Sequence, residues 1–303
     1  MANKRIYSEV DAPTFNTILL GGMTAISTDQ GYVHSADSQA DGAQGPSDAD
    51  SAGQKVTFSL TTEDVLQLIP LLISTPTAGE WYGHESGAAT YGKGTLVAPV
   101  FHSGRFTSQR GSYASISLEG QCRFPDAAAT FDDVEGFAVS VAAPTIAHPL
   151  RQWQPKSATH DAVIPLHVQA LNFAVTGKLI EDYGDTDLGT TAVDVNGYGL
   201  VTVELTVRDS TVHAGPPTHD VATALMNNGV KDLIVRFEGV GDTPDYKVTL
   251  RNCKWRSKRK AGGRDWTGHT LNGVLQWRDP TGDTVRTINH ATPATRLIDF
   301  VAA

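Results

Sequence analysis

Alternation of apolar and polar residues dominates the chain and predicts that it is built mainly from β-strands. In segment 201–208, valine or leucine occupies every second position and polar residues fill the others. A period of two places the apolar side chains on one face of a strand, and the same alternation occurs in segments 114–119 and 233–237. Such strands favour antiparallel sheets with one face on a core and the other face in water.

One short helix is predicted in each half. The first begins at a cap on Thr61 or Thr62 and is kinked or ended by Pro70, because a proline ring clashes inside a helix. The second begins at a cap on Thr218 and ends at Gly229, where a left-handed backbone is favoured. Each helix is expected to cover one face of a sheet. The apolar residues at helical spacing are Val65, Leu68, Ile69 and Leu72 in the first helix and Val221, Leu225 and Met226 in the second.

Four blocks of similar sequence occur in the same order in both halves and predict a duplicated unit. The matched blocks are 56–61 with 201–206, 62–65 with 218–221, 104–110 with 253–259, and 118–120 with 271–273. A chain of 303 residues can form two domains that each have a core, and we expect them at 1–150 and 151–303. The repeating unit spans about half of the chain, which is much longer than the repeats of solenoid proteins.

Two polar stretches interrupt the strands at the same place in each unit. Residues 29–53 and 181–199 are rich in Asp, Gly and small polar residues, and this composition predicts long loops that are either disordered or ordered by a partner. Segment 125–160 contains four prolines and is predicted to be an inter-domain linker. Segment 280–303 is predicted to be an arm.

Charge is distributed unevenly and indicates contact between copies. The formal net charge of −9 arises within residues 1–150, whereas the remainder is balanced but contains a dense basic run. Such asymmetry favours head-to-tail contact, with the basic run at the tip of a hairpin that docks on an acidic surface of another copy. The candidate contact residues are the basic Lys254, Arg256, Lys258, Arg259, Lys260 and Arg264 and the acidic Asp37, Asp41, Asp48 and Asp50.

Two other interpretations of the basic run remain open. Basic residues interleaved with Trp255 and Trp266 could bind nucleic acid by pairing with phosphates and stacking on bases. The run could also be a solvated hairpin that has no partner.

The sequence carries no recognisable catalytic or metal-ligand spacing. The adjacent pairs His160–Asp161 and His219–Asp220 lack the further groups that a metal site or an activated nucleophile needs. The glycines near 92–94 and 239–241 do not form a phosphate-binding loop. We therefore expect a protein that is not an enzyme and that uses no metal and no cofactor.

The cysteines and the first residues of the chain indicate the cellular compartment in which the protein is made. Cys122 and Cys253 do not occupy matching positions of the repeat, so we expect two buried free thiols rather than a disulfide. No run of apolar residues reaches the length of a membrane span, and the first residues lack the apolar core of a signal peptide. These features predict a soluble protein made in the cytosol.

The duplicated unit of strands and one helix, the long polar segment in each unit and the missing catalytic groups together resemble the tail tube (major tail) proteins of long-tailed bacteriophages. The resemblance covers roughly residues 14–124 and 166–280. It implies two tandem domains of β-sandwich or half-barrel type, each with a flanking α-helix. It also implies a structural virion protein, located in the tail and in the host cytoplasm during assembly.

In that family, six units close into a ring and rings stack into the tube through which DNA is ejected. The resemblance implies self-assembly of three two-unit chains per ring, with the polar segments 29–53 and 181–199 reaching the neighbouring ring. It implies contacts with the tape measure, terminator and tail-tip proteins, no membrane, and DNA that passes without specific binding. An acidic lumen, which repels phosphates, is expected.

Other functions remain as alternatives. A tail-tip hub or a decoration protein of the same fold would form a single ring or bind a finished surface. A carbohydrate-binding module would use exposed tryptophans on an antiparallel sheet. The tryptophans available for this are Trp81, Trp153, Trp255, Trp266 and Trp277.

Overall fold

The fold is mainly β, as the alternating pattern predicts. The computed structural model describes residues 9–15, 18–19, 23–37, 48–63, 65, 71–84, 90–125, 135–142, 153–161, 168–182, 192–208, 218–239, 245–262, 267–282, 284–288 and 292–302. The strands are β1 Glu9–Phe15, β2 Ile18–Leu19, β3 Met23–Asp37, β4 Asp48–Thr62, β5 Ala78–His84, β6 Tyr91–Val97, β7 Pro99–Gln109, β8 Ser115–Cys122, β9 Glu135–Val141, β10 Trp153–His160, β11 Val168–Asp182, β12 Ala192–Arg208, β13 Val230–Gly239, β14 Tyr246–Gly262, β15 Thr267–Leu275 and β16 Ile298–Ala302.

The described strands form two sheets. The smaller sheet has the order β2-β1-β5-β6-β9. The larger has eleven strands in the order β10-β13-β14-β15-β12-β11-β7-β8-β4-β3, with β16 paired to β14. All of the named pairings are antiparallel.

Strand pairing follows the same order in both halves of the chain. In the first half β3 pairs with β4, β4 with β8, and β8 with β7. In the second half β11 pairs with β12, β12 with β15, and β15 with β14. The order β1-β5-β6-β9 likewise corresponds to β10-β13-β14-β16, where the first half of β14 takes the place of β6. We call the strands β1–β9 the first unit and β10–β16 the second unit.

Both units contain the same β-bulge. The pairing of β7 with β8 shifts between Phe101 and Ser103, and the pairing of β14 with β15 shifts between Trp255 and Ser257. Phe101 is opposite Gly120, and Trp255 is opposite Gly273. A bulge is an inserted residue at a defined place in a ladder, so its recurrence makes Phe101 and Trp255 equivalent positions of one duplicated unit.

The backbone just before each bulge is also duplicated. Ala98 and Asn252 both have positive φ, 43° and 54°, a conformation that is uncommon for residues other than glycine. The carbonyl of Ala98 accepts a hydrogen bond from the Arg123 N–H at 3.2 Å, and the carbonyl of Asn252 accepts one from the Gln276 N–H at 3.0 Å. The two units therefore share this positive-φ residue and its hydrogen bond as well as their strand order.

One of the four matched sequence blocks is out of register. Leu118 and Leu271 are equivalent, but they pair with Gly104 and Lys258, so Gly104 corresponds to Lys258 and not to Cys253. The bulge explains the error, because its extra residue shifts the alternation by one. Residues five apart across the bulge, such as Phe101 and Phe106, are therefore both buried. The sequence match aligned Trp255 with Phe106, whereas strand pairing makes Trp255 equivalent to Phe101.

The prediction of long polar loops is wrong for most of the two polar stretches. Strand β3 continues to Asp37 and β4 begins at Asp48, while β11 continues to Asp182 and β12 begins at Ala192. Only 38–47 and 183–191 of these stretches lie outside the described residues. Each stretch belongs to a long hairpin, in which the strands satisfy one another's backbone groups whatever their side chains are.

The linker and the arm are also partly strands. Segment 125–160 contains β9 and β10, and the arm contains β16, which pairs with the first half of β14. Leu297 and Ile298 are buried in the core. Proline content misled the linker prediction, since Pro155 occupies strand β10 at a bulge.

The second predicted helix is confirmed as α1, Thr218–Asn227. Its Ala222 and Leu225 are buried, and Gly229 beyond its end has a φ of 70°, the left-handed conformation expected there. Val65 of the first predicted helix is helical and buried, but 66–70 lie outside the described residues. Within the described part of the chain, no helix has the length and apolar character needed to cross a membrane.

The two units are joined by pairing of β7 with β11 and by an aromatic stack. Ala170 to Thr176 of β11 pair with Gln109 to Ser103 of β7. On the core side, the rings of Phe106 and Phe173 stack with centroids 4.8 Å apart, and Phe237 meets Phe106 edge-on at 5.7 Å. The polar face of the first unit therefore continues without interruption into that of the second.

Candidate functional site

The polar face of the larger sheet carries rows of paired hydroxyl groups. Cross-strand pairs of this type stabilise a sheet and leave a lining that is hydrated without being strongly charged. The hydroxyl pairs are Ser27 with Ser59, Thr61 with Ser117 and Thr107 with Ser115, each with 2.8 Å between oxygens, and Thr206 with Thr270 at 3.2 Å.

The described charges on this face are of both signs. Lys55 Nζ donates to Glu181 Oε1 at 3.0 Å, Ser103 donates to Glu119 at 2.9 Å, and Asn172 donates to Glu204 at 3.0 Å. Exposed Arg105 and Arg208 alternate with the buried core residues of β7 and β12 and so lie on the same face. The described face is thus rich in hydroxyl groups and carries charges of both signs.

Two depressions on this face lie at the two bulges. Their volumes are about 390 and 520 Å³, a size that would admit a small ligand. Equivalent residues line them, since Ser27, Asp29, His102 and Glu119 of the first correspond to Asn172, Ala174, Arg256 and Asn272 of the second. The second depression also receives Arg105 from the first unit. The depressions are therefore features of the repeated unit.

The first depression contains a group of interacting titratable residues. Burial lowers the pKa of His102, while the nearby Glu119 carboxylate opposes that effect. Lys55 and Glu181 form the ion pair described above on its rim. The depression thus places the half-buried imidazole of His102 near a carboxylate and the Lys55 ammonium, with the hydroxyl groups of Ser27 and Ser59 also in its lining.

His160 is enclosed in the core rather than available for chemistry. It is fully buried, and its Nε2 lies 3.3 Å from the Cys253 carbonyl, while its Nδ1 lies 3.2 Å from Asn228 Nδ2. The neutral tautomer that satisfies both contacts donates from Nε2 and accepts at Nδ1. Burial is the main cause of the lowered pKa of His160. The histidine thus ties β10, β14 and the end of α1 together.

Protonation of His160 is expected to destabilise the protein below about pH 6.5. Because its pKa is lower in the folded state than in the unfolded state, the unfolded chain binds more protons on acidification. Unfolding free energy measured in urea should therefore fall between pH 7.5 and pH 5.5, by up to about 1.4 kcal/mol from this group. His160→Gln should reduce that pH dependence, and His102→Gln is the matched comparison at a partly exposed site. An unchanged pH dependence in His160→Gln would contradict the expectation.

The cysteine prediction is confirmed. Cys122 and Cys253 are both free and buried, and burial raises the pKa of Cys253 to about 12, so its thiol is unreactive near neutral pH. His219 lies in α1. Among the described residues there is no group of three or more His, Cys, Asp or Glu side chains placed to hold a metal ion.

Most of the basic run lies along strand β14, which leads into the β14–β15 connection. The side chains of Lys254, Arg256, Lys258, Arg259 and Lys260 are all exposed within the strand. Arg264 falls outside the described residues. Strand pairing with β15 continues to Gly262 opposite Thr267, which is why the run is extended. The described cations are therefore exposed along one strand of the β14–β15 hairpin, and their contact with another copy stays a prediction.

The tryptophans do not interleave with these cations at the surface. Trp255 is 4 % exposed and packs on His160 at 5.8 Å between ring centroids, and Trp153 is buried. Trp277 is 40 % exposed, and its indole N–H donates to the Gly199 carbonyl at 2.9 Å. Trp266 lies outside the described residues. Trp81 is half-buried, so among the described tryptophans Trp277 alone is exposed.

The acidic candidates cluster toward the far end of the β3–β4 hairpin. Asp37 is opposite Asp48, and Ser35 is opposite Asp50, whereas Asp41 is outside the described residues. Like charges at directly opposed positions destabilise a strand pair. A cation from elsewhere would relieve this repulsion, so the hairpin end is suited to contact with a basic surface.

The acidic hairpin and the basic strand point toward opposite ends of the sheet. In β12, Ala192 lies beside the β11–β12 connection, while Arg208 at the other end is opposite Gly268, next to the β14–β15 connection. Strand β4 runs in the same direction as β12 because of the unit order. The end of the β3–β4 hairpin therefore lies at one end of the strands and the β14–β15 connection at the other.

Two open strand edges lie at the margins of the polar face. Within the described part of the chain, β3 has a neighbouring strand only on the β4 side. Among the described strands, residues 255–262 of β14 are paired with β15 alone, since β13 pairs with β14 no further than Lys254. The sequence did not predict the β3 edge, because residues 29–37 of that strand fall in a predicted loop. Open edges readily accept another strand.

The chain matches no known protein-family model, and no curated protein matches its sequence.

Proposed function

We propose that this chain is a structural tube protein of a bacteriophage tail, in which copies form rings and rings stack into a conduit for DNA. The observation that carries the proposal is the pairing of β7 with β11, by which one unit's sheet continues into the next. An open edge at each margin of that sheet allows the same continuation from copy to copy. Closure of such a sheet into a barrel would leave no edge unpaired.

The number of strands is compatible with a wide lumen. Eight strands lie from β3 to β14 along the polar face, so three chains would contribute twenty-four. At a strand spacing of about 4.8 Å and a tilt of about 40°, that barrel would measure roughly 50 Å between opposite backbones. The polar face would line the lumen, where hydroxyl groups and charges of both signs give DNA phosphates no continuous basic track to bind.

Stacking is supported by the placement of charge at the two ends of the strands. The acidic Asp37, Asp48 and Asp50 lie toward one end, and the basic part of β14 extends toward the other. Contact of unlike ends does not close on itself and produces a filament. The residues proposed for contact between rings are accordingly the acidic hairpin, including Asp41, and the basic end that includes Lys260 and Arg264.

Electron microscopy of the purified protein in negative stain tests this function. Hollow filaments with a regular axial repeat are the expected result, at moderate salt and high protein concentration. Single rings that never stack would instead favour a tail-tip hub. Monomers that bind glycans on an array would favour a carbohydrate-binding module, and either outcome would contradict the tube assignment.

A further inference from the structure

We propose that β3 of one copy pairs with residues 257–262 of β14 in a second copy, in the register that β11 and β7 use within the chain. Arg259 of the second copy then lies opposite Asp29. The inference rests on the proposed function, since it describes how neighbouring chains of a ring are joined. It goes further by fixing the register and by assigning a charge pair to that contact.

The position of Asp29 follows from the hairpin pairing. Asp29 is opposite Thr57 in the first unit, and Ala174 is opposite Thr202 in the second. Thr57 and Thr202 belong to the matched segments 56–61 and 201–206, which have the same neighbours on β8 and β15. Asp29 is therefore the equivalent of Ala174.

The position of Arg259 follows from the pairing on the other side. Arg105 is opposite Ser117, and Arg259 is opposite Thr270. Ser117 and Thr270 each precede the equivalent leucines of β8 and β15, so Arg105 and Arg259 are equivalent. Within the chain, Ala174 is opposite Arg105. The same register between copies places Asp29 opposite Arg259.

The charges at this position suit a contact between copies. Both Asp29 and Arg259 are exposed, and opposite charges at directly opposed strand positions are favourable. The junction inside the chain has the neutral Ala174 at the same place. Only the junction between copies would carry this ion pair, which therefore distinguishes the correct register from a slipped one.

The first depression is incomplete without a second copy. Arg105 of the neighbouring unit lines the second depression beside Asn172 and Ala174. The first depression has Ser27 and Asp29 at those positions, and its margin there is the open edge of β3. Arg259 of a second copy would occupy the place that Arg105 occupies in the second unit.

The junction between copies would be more polar than the junction within the chain. Phe106 stacks on Phe173 inside the chain, whereas the equivalent positions are held by Lys260 and Thr28. Lys258 does not share the role of Arg259, because its Nζ donates to Thr223 of its own α1 at 2.7 Å. A contact that relies on exposed charge should weaken as salt increases.

Charge reversal provides the test, with sedimentation velocity and microscopy as measurements on the full chain. Asp29→Arg and Arg259→Asp should each raise the protein concentration needed for assembly by about tenfold or more, because like charges then face each other. The double variant, which exchanges the charges, should assemble at nearly the wild-type concentration. Arg236→Asp is the matched control, since Arg236 is also exposed but lies on β13 between Ser157 of β10 and Lys247 of β14, away from the open edge.

Cross-linking tests the register directly. Asp29→Cys combined with Arg259→Cys should give disulfide-linked multimers on mild oxidation, whereas Asp29→Cys combined with Lys254→Cys should not. Normal assembly of both single charge variants, or no multimers from the first cysteine pair in assembled protein, would overturn the register while leaving the tube function standing. Rings that fail to stack but follow the charge pattern would support the pairing and contradict the tube. A wild type that stays monomeric would overturn both.

Discussion

Phe106→Ala should lower the free energy of unfolding by about 3–5 kcal/mol, the range for removal of a buried phenylalanine. Phe106 is 1 % exposed on β7 of the first unit, yet its ring packs on Phe173 and Phe237 of the second. The substitution leaves a cavity where the two cores meet. We expect unfolding in urea to separate into two transitions, since the units would lose much of their mutual stabilisation.

Phe58→Ala is the matched control for Phe106→Ala. Phe58 is also buried, but its described ring contacts are with Phe15 and Phe101 of the same unit. It should destabilise the first unit without loosening the junction. A single transition for Phe106→Ala with a loss below about 1 kcal/mol would contradict the assigned role of the junction.

Alternation predicted the fold class because it reflects a physical requirement, one face on a core and one in water. The valines and leucines of segment 201–208 are buried in β12, and its polar residues are at least partly exposed. A strand can also continue without such alternation, because its backbone groups pair with those of its neighbour whatever the side chains are. Asp37 and Asp48 are paired in this way, although their sequence is that of a loop.

The duplicated unit was recognisable from sequence, but its internal register was not. The match of 118–120 with 271–273 agrees with the strand pairing, because no inserted residue separates these segments from their partners in β4 and β12. Strands β7 and β14 each contain a bulge, and a bulge is an inserted backbone residue that has no distinctive sequence. The open edge of β14 depends on where β13 stops pairing, which only the three-dimensional structure determines.

The candidate contact residues were identified by charge, and charge alone could not rank them. Lys254, Lys258 and Arg259 are all exposed cations of one strand. Pairing separates them, because Lys254 lies opposite β13, Lys258 is bonded to α1, and Arg259 remains on the open edge. Position along the strand relative to its neighbours thus decides which cation can face another chain.

Phe101→Ala and Trp255→Ala should each lower the free energy of unfolding by about 3–5 kcal/mol, because they remove equivalent aromatic residues at the two bulges. Phe101 meets the rings of Phe15 at 4.9 Å and Phe58 at 5.2 Å, and Trp255 packs on His160. The two losses should add in the double variant, since the sites have no described partner in common. Urea denaturation followed by circular dichroism measures all three values.

Trp255→Phe separates packing from hydrogen bonding at the second bulge. The Trp255 indole N–H is buried without a hydrogen-bond partner among the described residues, and such a group carries a desolvation cost of about 1–3 kcal/mol. Phenylalanine, which the first unit uses at this position, removes that group but keeps an aromatic ring. Removal of the unpaired N–H is favourable and offsets the packing lost with the smaller phenylalanine side chain. Trp255→Phe should therefore change the unfolding free energy by less than about 1 kcal/mol. A loss as large as that of Trp255→Ala would mean that the full indole volume, rather than an aromatic ring alone, supports the bulge.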